Sequence, residues 1–263
     1  MGLRNTLSSN LRKSLGPLIK FFMTVTFGDI ITNKPLPKTE FKLYYPIAKH
    51  LIFLFKKTAA YEENIKGIII DQKLIKKNNL VFDIGANIGQ YMLFFADAVG
   101  SNGRVISFEP NSNAFKFLTL NKAINDISNV SLCRSAVGER EGVISLGIDE
   151  STGGRSSSTI DTGDFTKVEV VNQTTLEASI ERFGIPDFVK VDIEGAEELV
   201  FYNRAVIDIM LKTIFIVEVR KESKEAIFSV FSNHRCFCVE TDSDIHRSIE
   251  IPDFANLFFF PKA

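Results

Sequence analysis

The fold is decided by one stretch in the first half of the chain, Leu80-Val81-Phe82-Asp83-Ile84-Gly85-Ala86-Asn87-Ile88-Gly89-Gln90. Apolar residues run into an acid, two glycines bracket three residues, and an apolar run follows from Tyr91. This pattern predicts a buried strand, a tight turn and the start of a helix. Open α/β sheets bind ligands at the carboxyl ends of their strands, so the turn is the first candidate for a binding site.

The spacing of the glycines indicates which ligand the turn could bind. Asp83 precedes a Gly85-x-x-x-Gly89 pattern, whereas a dinucleotide site has G-x-G-x-x-G. A dinucleotide site also keeps the helix N-terminus free for pyrophosphate, and an acid ahead of the turn suits a cationic group better. S-adenosylmethionine, which carries an ammonium and a sulfonium, fits this description. An NAD-type Rossmann oxidoreductase and a turn without any ligand stay open as alternatives.

Strands and helices are predicted to alternate beyond this turn. A βαβαβ series implies a parallel sheet with right-handed crossovers, and the two final apolar segments predict a closing antiparallel pair. The strands are predicted at 80–83, 104–109, 130–133, 187–192, 213–219, 237–240 and 256–260, with helices at about 62–77, 89–98, 111–125, 174–183 and from 193.

Residues 142–171 interrupt the alternation. The segments 143–146 and 167–171 alternate in polarity as exposed strands do. Between them, residues 151–158 are rich in serine and glycine. This loop is either a flexible linker or a mobile loop over the active site.

The first sixty residues differ from the rest in charge. Residues 1–57 contain ten Lys and Arg against two acids, a charge of +8, which leaves −9 for the remainder of a chain whose net charge is −1. We expect an N-terminal helical, basic and aromatic extension over 1–60 and an α/β domain over 61–263. The extension either packs on that domain or makes a peripheral contact with an anionic membrane through residues 1–57.

Composition excludes other classes of protein. The balanced charge argues against bulk nucleic-acid binding. Three cysteines without metal-ligand spacing favour a reduced, cytoplasmic protein, and no apolar run approaches the length of a membrane span. The oligomeric state is not indicated by the sequence.

Three acids follow successive predicted strands, namely Asp83, Glu109 and Asp192. The carboxyl ends of parallel strands share one edge of a sheet, so we expect these acids to lie close together. Glu109 is twenty-four residues beyond Gly85, close to the ~20-residue separation of an acid that binds ribose hydroxyls.

With these residues in view, the chain resembles the FkbM family of S-adenosylmethionine-dependent methyltransferases. The resemblance covers roughly residues 61–219 and is carried by two phrases that are specific in combination, Phe82-Asp-Ile-Gly-Ala-Asn-Ile-Gly89 and Val189-Lys-Val-Asp-Ile-Glu-Gly-Ala-Glu197. Shorter matching phrases occur in family order at 105–111, 129–132, 135–138 and 175–177.

The resemblance implies a class I methyltransferase fold, a Rossmann-like three-layer sandwich. Its seven-stranded, mostly parallel sheet lies between helices and has an antiparallel last strand. S-adenosyl-L-methionine is the implied cofactor. The glycine turn would cradle its methionine part, Glu109 would bind its ribose, and Ser135 and Ala136 would lie beside its adenine. The implied cofactor-binding residues are Asp83, Gly85, Ala86, Asn87, Gly89, Glu109, Pro110, Ser135, Ala136 and Asp192.

Methyl transfer to a hydroxyl needs a base near the acceptor. The nearest carboxylates are Asp192 and Glu194, and Lys190 shares a strand face with Asp192, so these three are the predicted catalytic residues. We expect O-methylation of a sugar, glycan or natural product without a metal. Asp192 and Glu218 could instead hold Mg²⁺, and a binding module that has lost its activity is a further alternative.

Overall fold

The computed structural model describes residues 30–47, 57–149, 155–157, 167–193 and 195–262. The predicted membrane-contacting segment therefore lies largely outside the described residues, as do most of the serine- and glycine-rich loop and Glu194.

Most predicted elements are present with boundaries within a few residues, but the helix predicted over about 62–77 ends six residues earlier, at Asp71. The strands are β1 (Ile31–Pro35), β2 (Lys42–Pro46), β3 (Leu80–Ile84), β4 (Arg104–Phe108), β5 (Val130–Cys133), β6 (Ala136–Val137), β7 (Gly142–Asp149), β8 (Arg155–Ser157), β9 (Lys167–Thr174), β10 (Phe188–Val191), β11 (Ile214–Arg220), β12 (His234–Cys238), β13 (Ser243–Ile245) and β14 (Phe254–Pro261). The helices are α1 (Glu63–Asp71), α2 (Gln90–Val99), α3 (Ser112–Ile124), α4 (Leu176–Phe183), α5 (Glu197–Val200), α6 (Arg204–Ile209) and α7 (Lys224–Val230).

The central sheet contains eight strands within the described residues, in the order β13-β12-β14-β11-β10-β3-β4-β5. The five strands from β11 to β5 are mutually parallel, and β14 runs antiparallel between β11 and β12. The predicted α/β fold with an antiparallel last strand is thereby confirmed. The strand count was predicted as seven, and the eighth strand, β13, is a short edge strand paired with β12.

Helices cover both faces of the sheet and form the expected three layers. One core joins Phe82 and Val189 to Ile180 of α4 and Ile227 of α7. The other core joins Val81 and Phe188 to α1, α2 and α3. Successive strand residues alternate between these cores, and Asp83 lies two residues beyond Val81, so its side chain faces the layer that contains α1 and α2.

The predicted exposed strands of the insert form a second sheet, with the order β6-β9-β7-β8. Its small core contains Leu146, Ile148 and Val171, while Val168 and Val170 are exposed on the other face. The insert is therefore a folded sheet in its described part, and it follows directly after β5.

The N-terminal extension was predicted to be helical, and this is wrong for the part that the structure describes. β1 and β2 form an antiparallel pair instead. The buried side chains of Leu43 and Tyr45 alternate along β2 and join the core that contains α1, α2 and α3. An alternating apolar pattern fits a strand that buries one face, and Pro35 ends β1 because proline cannot extend strand pairing.

The helix predicted from residue 193 begins four residues later, at Glu197. Gly195 has φ +109°, a conformation outside the helical region, so the chain forms a loop between β10 and α5.

No helix in the described ranges is long and apolar enough to cross a membrane.

Candidate functional site

The glycine turn packs directly on the segment that follows β10. A Cβ atom on Gly85 would lie 1.9 Å from the backbone oxygen of Asp192, and Gly85 has φ +86°. The backbone N–H groups of Gly85 and Ala86 both donate to the Phe108 carbonyl, each at 3.0 Å. Only glycine fits this close approach, and the turn thereby fixes the ends of three parallel strands against one another.

Glu109 holds the same turn from the next strand. Its Oε2 accepts the N–H of Asn87 at 2.8 Å, and its Oε1 accepts the N–H of Asn111 at 2.8 Å. Each carboxylate oxygen has a second lone pair, which is available to a ribose hydroxyl. Burial raises the pKa of Glu109 to about 7; the N–H groups of Asn111 and Asn87 oppose this rise, and the charge of Asp83 adds to it.

Asp83 lies in the interior of the site. Its side chain is completely buried, and neither carboxylate oxygen has a hydrogen-bond partner among the described residues. In the sheet it stands between Lys190 of β10 and Ser107 of β4. Burial raises the pKa of Asp83 to about 6, the positive charge of Lys190 lowers it, and Asp192 raises it further.

Lys190 and Asp192 form an ion pair at the end of β10. The Lys190 Nζ lies 2.8 Å from Asp192 Oδ2; the Lys190 side chain is 5% exposed and that of Asp192 is 25% exposed. Burial lowers the pKa of Lys190, but the charges of Asp192, Asp83 and Glu62 outweigh burial and raise it. Lys190 therefore stays protonated and anchors a carboxylate that is partly exposed to solvent.

Glu197 shapes the loop that contains Glu194, although Glu194 itself lies outside the described residues. The buried Oε1 of Glu197 accepts the N–H of Gly195 at 2.9 Å and that of Ile193 at 3.3 Å. Oε1 thus holds the backbone of the loop, whereas the buried Oε2 has no hydrogen-bond partner among the described residues.

The remaining predicted cofactor residues lie along the neighbouring strand ends. Pro110 follows Glu109 directly, and the N–H of Glu109 donates to the Cys133 carbonyl at 3.1 Å. Ser135 and Ala136 come two and three residues after Cys133 and are partly buried. The structure thus brings the strand ends together, but contacts of Ser135 and Ala136 with a bound adenine stay a prediction.

The sequence did not indicate how the insert docks beside these residues. Glu169 of β9 accepts the backbone N–H of Ser112 at 3.1 Å and also the hydroxyl of that serine. Lys167 Nζ contacts the same carboxylate at 2.6 Å. Ser112 is the first residue of α3, whose N-terminus attracts negative charge, so Glu169 ties the second sheet to the adenine end of the predicted site.

The sequence also did not indicate a cluster behind Lys190. Tyr91 donates its hydroxyl hydrogen to Glu62 Oε2 at 2.8 Å, and its ring lies under the Lys190 Nζ at 4.6 Å and near the Lys66 Nζ at 5.3 Å. Lys66 is fully buried. The signal for this cluster was a lysine on the apolar face of α1, between Ile65 and Ile69, where a charge needs a buried partner.

The residues present fit S-adenosylmethionine. Asp83 has two buried carboxylate oxygens without a hydrogen-bond partner among the described residues. Each Glu109 oxygen accepts one backbone N–H and keeps a second lone pair. Gly85 and Gly89 adopt the left-handed conformations, φ +86° and +98°, that the turn requires. Because Asp83 has no exposed surface, its negative charge would act on a cationic ligand at a distance. In the part of the chain that the structure describes, no three His, Cys, Asp or Glu side chains are grouped as a metal site.

We expect the affinity for S-adenosylmethionine to increase as the pH rises through 6 to 7. The raised pKa values of Asp83 (about 6) and Glu109 (about 7) mean that the free protein holds protons there, and a cationic ligand with ribose hydroxyl donors favours the ionised carboxylates. Affinity should rise by at most about tenfold per pH unit for each proton released. Calorimetry at pH 5.5 to 8, in buffers of different ionisation enthalpy, measures both quantities.

Stability of the free protein should show the opposite trend. Below pH 6 to 7 the folded chain binds more protons than the unfolded chain, so the free energy of unfolding falls as the pH rises in that range.

Glu109→Ala should remove part of the pH dependence of both affinity and stability, and it should weaken ligand binding by about 1–3 kcal/mol. An affinity that is constant over this pH range would contradict the assignment.

The sheet order and the glycine turn are those of a class I methyltransferase fold. Comparison with known families agrees, because residues 83–243 match the methyltransferase FkbM domain. This match covers more than half of the chain, and the chain belongs to the FkbM methyltransferase family. S-adenosyl-L-methionine is accordingly the expected cofactor. Family membership favours a methyltransferase over the NAD-type oxidoreductase.

Solved structures with a similar fold are distant in sequence. Methyltransferase FkbM from Methylobacillus flagellatus is 16% identical with a TM-score of 0.47, and the match covers 70% of this chain and 44% of that one. Precorrin-6y C5,15-methyltransferase from Geobacter metallireducens is 12% identical with a TM-score of 0.46, covering 76% and 88%. A SAM-dependent O-methyltransferase from Thermotoga maritima is 12% identical with a TM-score of 0.43, covering 84% and 74%.

The chain thus spans less than half the length of the Methylobacillus flagellatus protein. No protein of curated function matches it significantly.

Proposed function

We propose that this chain transfers a methyl group from S-adenosylmethionine to a hydroxyl oxygen of a sugar, glycan or natural product. The observation that supports this most is the Asp192 carboxylate, which is partly exposed, paired with a buried lysine and in contact through its backbone with the glycine turn. A hydroxyl is a weak nucleophile until a base removes its proton, and a carboxylate at this position can do so.

Each residue has a distinct part in this proposal. The cofactor supplies a methyl group that is already activated on a sulfonium, so the protein has to align the acceptor and remove its proton. Asp192 accepts the hydroxyl proton, and Lys190 donates a hydrogen bond to Asp192 and fixes its orientation. Glu197 holds the loop at Ile193 and Gly195, which lies beside that base. Glu194, on the same loop, remains a second candidate for the base.

The chemical class of the acceptor rests on the family resemblance. A hydroxylated acceptor is consistent with a site whose described side chains are carboxylates and a lysine. An acceptor at a membrane surface would agree with the basic residues among 1–57. Unchanged binding to anionic vesicles after replacement of all ten Lys and Arg residues of this segment by glutamine would contradict that part.

The test is transfer of isotope-labelled methyl from S-adenosylmethionine into a panel of methyl glycosides, oligosaccharides and hydroxylated natural products. We expect label in an alkali-stable ether, identified by mass spectrometry and NMR of the product. Label on a nitrogen or carbon atom of the product would overturn the proposed O-methylation, but the protein would still be a methyltransferase. Cofactor binding without transfer to any acceptor class, including a cell extract, would support an inactive binding module.

A further inference from the structure

Lys190 is nearly buried, and its ammonium has more neighbours than the ion pair with Asp192. Asp83 is its register partner in β3, and the ring of Tyr91 faces its Nζ at 4.6 Å. The electron-rich face of an aromatic ring attracts a cation, and the attraction is strongest where water is excluded. Tyr91 therefore supports the ammonium on a side that neither carboxylate occupies.

The ring of Tyr91 is itself held from two directions. Its hydroxyl donates to Glu62 Oε2 at 2.8 Å, which fixes the plane of the ring. Lys66 lies 5.3 Å from the ring centre, and its Nζ also donates to the Tyr61 carbonyl at 2.9 Å and to Glu63 Oε1 at 3.3 Å. A charged side chain without exposed surface needs such partners, so the start of α1 is locked against α2.

The backbone at Glu62 shows the same constraint. Glu62 has φ 49° and ψ 44°, a left-handed conformation that is unfavourable for a glutamate. This conformation places the Glu62 carboxylate beside the Tyr91 hydroxyl, and the hydrogen bond between them offsets the conformational cost. Residues 61–66 precede the segment that matches the family, so they are a feature of this chain beyond that match.

We propose that Tyr91, fixed by Glu62, is a positioning residue. Its ring holds the Lys190 ammonium in place, and Lys190 in turn orients the Asp192 carboxylate toward the site of methyl transfer. The proposal rests on the proposed O-methyl transfer, in which Asp192 is the base. Without the ring, the Lys190 side chain would have space to withdraw toward α2, and the hydrogen bond that orients Asp192 would be lost part of the time. Tyr91 is buried, and its described contacts are with Glu62, Lys66, Lys190 and the neighbouring phenylalanines, so it acts through Lys190.

The test compares three replacements of one ring. Tyr91→Leu removes the aromatic face, Tyr91→Phe keeps the face and removes the hydroxyl, and Tyr91→pentafluorophenylalanine keeps the shape but removes the attraction for a cation. Phe94→Leu is the matched control, because Phe94 is a buried aromatic residue of the same helix whose ring is 6.4 Å from that of Tyr91. It reports the loss of packing alone.

The structural readout is the NMR spectrum of protein labelled at lysine with ¹³C and ¹⁵N. The Lys190 Hε protons should be shifted upfield by the ring current, with Lys190→Met providing the assignment. We expect Tyr91→Leu to abolish this shift, whereas Tyr91→Phe and Phe94→Leu should keep it. This measurement needs no acceptor, so it stays informative if the wild-type protein methylates nitrogen and the proposed O-methylation fails.

The functional readout is kcat with the acceptor identified by labelling, together with the Kd of S-adenosylhomocysteine. We expect Tyr91→Leu and the pentafluoro variant to lower kcat roughly tenfold, the rate equivalent of a desolvated cation–π contact, with Kd changed less than about twofold. Tyr91→Phe, which loses only the hydrogen bond to Glu62, should lower kcat less than the pentafluoro variant does, and an unchanged kcat in Tyr91→Phe would remove Glu62 from the proposal. Unchanged kcat in the pentafluoro variant, or an equal fall in Phe94→Leu, would overturn the proposal, and the isosteric pentafluoro variant decides it if Tyr91→Leu does not fold.

Discussion

Replacement of Gly85 by alanine is expected to abolish cofactor binding and to destabilise the fold. The added Cβ would lie 1.9 Å from the Asp192 oxygen and 2.8 Å from its carbonyl carbon, and both are backbone atoms that cannot rotate away. The φ of +86° adds strain for any residue with a side chain. A left-handed conformation costs about 1–3 kcal/mol and overpacking a further 1–3 kcal/mol, so the unfolding free energy should fall by roughly 2–6 kcal/mol.

Gly67→Ala is the matched control for this prediction. Gly67 lies inside α1, and its added Cβ would meet only the Lys38 Nζ, at an ordinary 3.7 Å. Alanine in a helix interior should be neutral or stabilise the fold by about 0.5–1 kcal/mol. Urea denaturation and calorimetry with S-adenosylhomocysteine measure the two effects. A Gly85→Ala protein that is as stable as Gly67→Ala and binds the cofactor equally well would show that the turn tolerates displacement from Asp192.

The central fold was predictable because its signals are local and repeated. β3, β4 and β5 are short apolar runs, each followed by a turn or cap residue, and their connections are long enough for crossover helices. The acids Asp83, Glu109 and Asp192 could be assigned to one edge from this order alone. Family phrases then identified the cofactor, which the spacing of two glycines alone left open.

The secondary-structure predictions that are wrong concern short segments whose structure depends on tertiary contacts. β2 was missed because its alternation extends over only Leu43 to Tyr45 beside a proline-rich turn. β13 contains Ser243 and Asp244, which are poor strand formers, and it exists because it pairs with β12. The sequence predicts the helix after β10 four residues too early, because Gly195 lies in a pattern typical of a helix start, whereas Glu197 holds this segment as a loop.

The network around Lys190 was beyond prediction for a different reason. Its members come from α1, α2 and β10, and no local pattern states that Glu62 will contact Tyr91 or that Tyr91 will face Lys190. The sequence could indicate that Lys190 and Asp192 share a strand face, because that follows from a period of two. The depth of burial of Asp83 and the resulting rise in its pKa require the packed layers.

The Asp192 carboxylate has two predicted roles that kinetics can separate, as part of the cofactor site and as the catalytic base. Asp192→Asn preserves the size of the side chain, and the amide oxygen can still accept from Lys190. The substitution removes the capacity to take a proton, which general-base catalysis requires. If Asp192 is mainly a cofactor ligand, Kd should rise with little change in kcat; if it is the base, kcat should fall at constant Kd.

We expect Asp192→Asn to lower kcat by about 10²–10⁴-fold, the usual contribution of a general base, while the Kd of S-adenosylhomocysteine changes less than about threefold. Lys190 retains Asp83 as an anionic neighbour, so the fold should survive the loss of one charge. Glu198→Gln is the matched control, because Glu198 is an exposed carboxylate at the start of α5 and its removal should leave kcat unchanged. Full turnover in Asp192→Asn would transfer the role of base to another group, and Glu194→Gln would then be the variant expected to lose activity.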